Sequence, residues 1–173
     1  MAITQINPIS TTLKKAINYI MNPDKTDDKL LVSSFACSAE TAAYEFDWTR
    51  KNGGKQGGYL GFHLIQSFSP NEVDYVTAHE IGKQLADKVF GGKFSFVIAT
   101  HTDRGHCHNH IIANSVSFKD FSKYNSSPKS YYNIRRASDK LCYEHGLSVV
   151  DQTKNKGKSH YEYTAGKQGT ADN

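Results

Sequence analysis

At 173 residues the chain has the length of one domain and enough material for a real core. With 38% hydrophobic and 22% charged residues its composition is ordinary globular, and no run approaches the roughly 18 apolar residues of a membrane span. The formal net charge of +4 is unevenly placed: residues 1–118 carry eleven basic and eleven acidic side chains, residues 119–173 ten basic and six acidic. A basic C-terminal part points to a polyanionic partner such as nucleic acid, although charge alone usually marks no more than a solvated face.

The first residues lack the charge and apolar block of a signal peptide, and Cys37, Cys107 and Cys142 are odd in number and dispersed. Both features lead us to expect a cytoplasmic protein with reduced thiols and no membrane association.

In chain order, residues 3–9 alternate as a short strand ended by Asn7-Pro8. Ser10, Thr11 and Thr12 offer N-caps for a helix over about 11–21, stopped by Asn22-Pro23. Within it Leu13, Ala16, Ile17 and Ile20 recur at i, i+3, i+4 and i+7 as a buried stripe. Tyr19 then falls about 110° from the centre of that stripe, at the margin of the core. Lys14 and Lys15 project outward. Residues 30–35 read as a strand, followed by a helix from near 38 or 39 to near 52–54.

Gly57-Gly58 opens a strong strand over 59–68, which carries His63 on the same parity as Ile65. For His63 the core-strand reading comes before a site reading. A helix from Pro70-Asn71 to about residue 90 closes on Gly91-Gly92. Two apolar strands follow, over 94–100 and 111–118. A polar loop over about 119–128 leads to a helix from near 130 to 145 with Gly146 as its C-terminal glycine. Residues 1–150 therefore form the folded unit, and 151–173 read as a basic, linker-like segment of the kind that leads on to further domains. The order predicts an α+β fold, a central and mainly antiparallel sheet with helices packed on it.

Four of the eight histidines fall between the two apolar strands, in His101-Thr-Asp103-Arg-Gly-His106-Cys-His108-Asn-His110. Arg104-Gly105 is the natural turn. A two-residue turn there pairs His101 with His108, and a four-residue loop over 104–107 pairs it with His110. Either register puts three imidazoles on one sheet face. Three neutral imidazoles suit one divalent transition metal and leave positions open for water or substrate, which is the catalytic pattern. Asp103 is suited to anchor a ligating histidine through its other ring nitrogen. His106 shares the parity but falls at the turn, so it is a substitute ligand or a phosphate contact. Cys107 has the opposite parity and is left out.

The array His101-x-Asp103-x4-His108-x-His110 resembles the third motif of conjugative relaxases, the HUH nickases of mobile elements. Ala16-Ile-Asn-Tyr19-Ile20 resembles their first motif, and Gly61-Phe-His63-Leu-Ile-Gln-Ser67-Phe68 the intervening strand of the mobilisation-protein branch. The likeness covers roughly residues 3–150 and is nearest to relaxases of Gram-positive mobile elements. One departure is Asn109, where the family usually has a bulky hydrophobic residue. Asn109 faces away from the metal, so ligation should survive while the packing behind the strand is put in doubt.

The resemblance implies nicking and resealing of one strand at a transfer origin, with Tyr19 as nucleophile and a 5′-phosphotyrosyl intermediate. At neutral pH roughly one phenol in a thousand is ionised, so a tyrosine needs help. The resemblance supplies it as one divalent ion, manganese or magnesium, with nickel, cobalt and zinc as alternatives. His101, His108 and His110 would hold it, and Asp103 would anchor them. The implied partner is single-stranded or hairpin transfer-origin DNA, with accessory relaxosome proteins, and the chain is expected to be a monomer.

Lys14, Lys15, Arg50, Lys51, Lys55, Arg135 and Arg136 are candidate phosphate contacts, and Tyr131 and Tyr132 candidate base-stacking residues. A solvated or core role stands beside each. Two other classes remain: a rolling-circle replication initiator with its tyrosine after the histidines, for which Tyr131, Tyr132 and Tyr143 are available, and a three-histidine metallohydrolase of a small molecule.

Overall fold

The computed structural model describes residues 1–27, 29, 31–102 and 106–149. Its elements are β1 (Ala2–Ile9), α1 (Leu13–Ile20), β2 (Val32–Phe35), a 3₁₀ turn (Ala39–Thr41), α2 (Ala42–Asn52), β3 (Gly61–Phe68), α3 (Tyr75–Phe90), β4 (Phe96–His101), β5 (His108–Asn114) and α4 (Pro128–Glu144). The strands form one sheet in the order β1-β3-β5-β4-β2, and all four pairings are antiparallel. The fold is the α+β sheet-and-helix arrangement expected from the order of elements.

β5 and β4 are apolar on both parities because both faces of the sheet are covered. On one face Val97, Ala99 and Ile112 pack with Leu13, Ile17 and Ile20 of α1 and with Ala42 and Phe46 of α2. On the other, Leu64, Ile98, Ile111 and Ala113 pack with Ala78, Ile81 and Leu85 of α3 and with Ile134 and Leu141 of α4. The sheet is thus the middle of three layers. A one-residue slip of β5 would exchange the two sets of side chains, so two apolar layers hold the register in place.

Several boundaries differ from the sequence pattern, and at three helix starts the local reason is visible. α1 starts at Leu13, because Thr12 adopts φ 57° to turn the chain out of β1 and makes no side-chain cap. α3 starts at Tyr75 rather than near 70: the Asp74 carboxylate accepts from Thr77 N at 2.9 Å and from Thr77 Oγ1 at 2.7 Å. α4 starts at Pro128, where Ser127 and Ser130 form a reciprocal capping box around a proline in the first turn. The second histidine strand starts at His108 and ends at Asn114, after which Val116 bridges to Lys123. Gly146, at φ 72°, ends α4 as expected. Among the described residues no helix is long and apolar enough to cross a membrane. Residues 151–173 lie outside the described residues.

Candidate active site

The site is built on β4 and β5, where His101 stands directly opposite His108 and His110 follows two residues along the same face. This is the first of the two pairings the sequence allowed. The His101 and His110 ring centroids are 4.1 Å apart, and those of His108 and His110 6.4 Å. Their face is the one α1 covers, since they share parity with Ile112 and Ala99. The C-terminal end of α1 abuts them: the Ile20 carbonyl lies 2.8 Å from His101 Nε2. Tyr19, the residue before it, meets the His101 ring edge-on at 6.4 Å and 71° and remains 59% exposed.

Hydrogen bonds orient each ring. A carbonyl oxygen only accepts, so His101 Nε2 carries the proton toward Ile20 and Nδ1 keeps the lone pair. His108 Nδ1 is 3.0 Å from Ser67 Oγ, which leaves Nε2 as the nitrogen a metal would take. His110 Nδ1 is 2.9 Å from His63 Nε2. Burial, with the neighbouring His101 adding to it, pushes the His63 pKa down to about 4 and keeps that imidazole neutral. A neutral His63 has one accepting nitrogen, so it can hold His110 in the tautomer whose Nε2 is the ligating atom.

His63 is therefore part of the site, a role the sequence placed second. The signal was its parity on β3, but only the β3–β5 register, His63 opposite Ile112, shows that this is the histidine face. His106 comes within 4.2 Å of the His108 ring, centroid to centroid. Asp103, like Arg104-Gly105, lies outside the described residues.

The donor set suits a divalent ion: three imidazoles share a face, and each has one nitrogen committed to an orienting partner. Among the described residues the rings lie side by side and are not closed into a ligating cluster.

Comparison with known proteins bears on what such a face is for. The family described as the nuclease domain of MobA/VirD2-like relaxases matches residues 19–147. The chain belongs to that family. It is 34% identical over 164 residues to a Staphylococcus aureus protein named rlx, covering 95% of this chain and 48% of that protein. It is 35% identical over 185 residues to the group II intron-interrupted relaxase LtrB of Lactococcus lactis subsp. cremoris, covering 84% of this chain and 32% of that protein. The T-DNA border endonuclease VirD2 of Rhizobium radiobacter is 27% identical over 131 residues, 70% of this chain and 30% of that protein. A solved structure, described as the molecular basis of vancomycin resistance transfer in Staphylococcus aureus, shares the fold with a TM-score of 0.54 at 14% identity, over 86% of this chain and 96% of that one. The chain spans about half the length of the rlx proteins it matches.

Within this relaxase nuclease domain the basic candidates separate by layer. Lys14 and Lys15 are exposed on α1, the helix that carries Tyr19, and Lys51 and Lys55 are exposed at and beyond the end of α2. Arg50 corrects the expectation of a phosphate contact. It is 4% exposed, and its Nη1 donates to the Leu60 carbonyl at 2.9 Å and to Asn114 Oδ1 at 3.2 Å. The helical phase decides this, since position 50 faces the sheet while 51 faces water.

Tyr131, Tyr132, Arg135 and Arg136 stand apart from the histidine face. They belong to α4, which packs on the face of the sheet opposite the histidines, so they do not join the site. Tyr143 lies on the same helix.

Behind the histidines the relaxase domain holds a buried polar row. Gln66, Asn109 and Thr100 stand opposite one another across β3, β5 and β4, on the face that α3 covers. Thr100 Oγ1 donates to Asn109 Oδ1 at 2.6 Å, and Asn109 Nδ2 donates to Gln66 Oε1 at 3.0 Å and to the Ala78 carbonyl at 2.7 Å. Gln66 Nε2 donates to Ser138 Oγ of α4 at 2.9 Å. The one Thr100 proton is used, so His79 Nδ1 must donate to Thr100 at 2.8 Å and its Nε2 must accept from Ser33 at 2.6 Å. Burial lowers the His79 pKa and favours this neutral form. Asn109 is thus a fully bonded amide within the packed layer behind the histidines.

Proposed function

We propose that this domain nicks one strand of transfer-origin DNA by transesterification and reseals it, initiating transfer of a mobile element. The observation that carries the reading is the edge contact of Tyr19 with His101, at the helix end that also holds the His101 ring. Family membership and the names of the relatives support it. In the reaction the Tyr19 oxygen attacks the scissile phosphorus, the bond to the 3′ oxygen breaks, the phenolic proton is lost, and the 3′ oxygen takes up a proton. The product is a 5′-phosphotyrosyl link with a free 3′-hydroxyl, and the retained phosphoester lets a 3′-hydroxyl reverse the step.

Relaxase nuclease domains depend in general on a divalent metal ion, and here His101, His108 and His110 would hold one, with Asp103 as an anchor. When bound, the ion supplies Lewis acidity that polarises the phosphate and offsets charge building on it. The chain's own residues orient the rest: Ile20, Ser67 and His63 fix the three rings, α1 delivers Tyr19, and Lys14 and Lys15 offer cations to the incoming strand. Tyr19 meets the histidines while Tyr131, Tyr132 and Tyr143 lie on the opposite layer, which favours this reading over a replication initiator with a later nucleophile. A covalent step through tyrosine likewise distinguishes it from a hydrolase using metal-bound water.

The test is incubation with single-stranded oligonucleotides tiling the DNA next to the gene, with and without manganese, followed by denaturing electrophoresis and mapping of any adduct. A manganese-dependent adduct on Tyr19, absent in Tyr19→Phe, is expected. DNA processing retained in Tyr19→Phe would sink the proposal.

A further inference from the structure

α2 carries the chain's only tryptophan. Trp48 is 66% exposed, and Tyr44, one helical turn earlier, is 65% exposed. The helical period places both on the outer side with Lys51, while Ala42, Phe46, Thr49 and Arg50 face the sheet. Two large aromatic side chains on one helix thus contribute little to the core, although aromatics ordinarily dominate core burial. They edge a cleft of about 460 Å³ that Ala36 and Phe118 also line.

The platform is tied to α1. Lys14 Nζ lies 5.0 Å from the centre of the Tyr44 ring and donates to its hydroxyl at 3.1 Å. The exposed residues of α1 are Lys14, Lys15, Asn18 and Tyr19, with no acidic residue among them. The nearby carboxylates are internally engaged: Asp47 pairs with Lys51 at 2.8 Å, and Glu45 accepts from Ser38 N at 2.8 Å and Thr41 Oγ1 at 2.9 Å. From Lys14 to Tyr19 the helix advances about 7.5 Å at 1.5 Å per residue.

We propose that Tyr44 and Trp48 form a stacking platform for bases of single-stranded DNA flanking the cut phosphate. The inference rests on the relaxase reading above. Flat aromatic faces beside cations match a strand whose bases are unpaired and whose phosphates run alongside. Duplex DNA keeps its base faces stacked and offers them no such surface.

Because Trp48 is the sole tryptophan, its fluorescence reports on the platform directly. Titration with an oligothymidine of about 20 nucleotides quenches it to saturation, and Tyr44→Ala weakens that binding about tenfold. Tyr44→Phe, which keeps the stacking face, binds as the wild type does. The same backbone bearing abasic sites leaves Trp48 unquenched. A flat titration, as a protein-docking surface would give, overturns the proposal. So does quenching by the abasic strand, or unchanged affinity in Tyr44→Ala. Adduct formation on Tyr19 is scored separately: an adduct without quenching retains the relaxase reading and removes the platform, and quenching without an adduct removes the relaxase reading and leaves only base stacking on Trp48.

Discussion

Asn109 lies between two histidines and points the other way, and that alternation was legible from parity alone. Its partners were not, because Gln66, Ala78 and Thr100 come from three different elements. A buried amide with both hydrogens and its oxygen in use is stable only while every partner remains. Asn109→Leu leaves Gln66 Oε1 and the Ala78 carbonyl without this donor. We expect a loss of roughly 2–3 kcal/mol, read as a lower urea midpoint at unchanged slope. An unchanged midpoint would mean the row contributes nothing to stability. Arg50 is the converse case. Its charge suggested a phosphate contact, but the phase of α2 turns it inward, where the Leu60 carbonyl and Asn114 take its donors.

At the scale of elements, α3 is pressed onto the sheet at Gly82. A Cβ built there would stand 2.6 Å from Asn109 Nδ2 and 2.6 Å from Ile98 Cδ1, both in the packed layer behind the histidines. Helix propensity favours Gly82→Ala by about 1 kcal/mol. Overpacking against an amide already fixed by hydrogen bonds costs about 1–3 kcal/mol, so packing wins. The variant is expected to melt at lower temperature than the wild type, and a higher melting temperature would show that α3 is free to move away. The helix starts show why boundaries are harder to read than elements. Asp74 and Ser127 win as caps through specific partners, Thr77 and Ser130, whereas Thr12 has cap chemistry but is turned to positive φ by the exit from β1.

For the whole molecule, α1 and the histidine hairpin meet only because β4 and β5 are central strands covered by that helix. An ion held by the assembled face, and not by the unfolded chain, stabilises the fold by mass action. At a hundredfold excess over its dissociation constant that amounts to about 2.7 kcal/mol. Thermal unfolding in excess manganese should therefore give a higher midpoint than in chelator. A variant carrying both His108→Ala and His110→Ala should lose the increment. Equal midpoints for the wild type in the two conditions would count against a histidine-held ion.

Periodicity determined which side chains share a face: His101, His108 and His110 on one side of their strands, Asn109 and Cys107 on the other, and Tyr19 at the edge of the α1 stripe. Those relations follow from the two-residue repeat of a strand and the 3.6-residue repeat of a helix, both local properties of the backbone. Tertiary structure decided which layer each face meets. It brought His63 to His110 through the β3–β5 register, buried Arg50, and sent α4 with Tyr131, Arg135 and Arg136 to the far side of the sheet. Those outcomes depend on pairing between residues far apart in the chain, which no local repeat encodes.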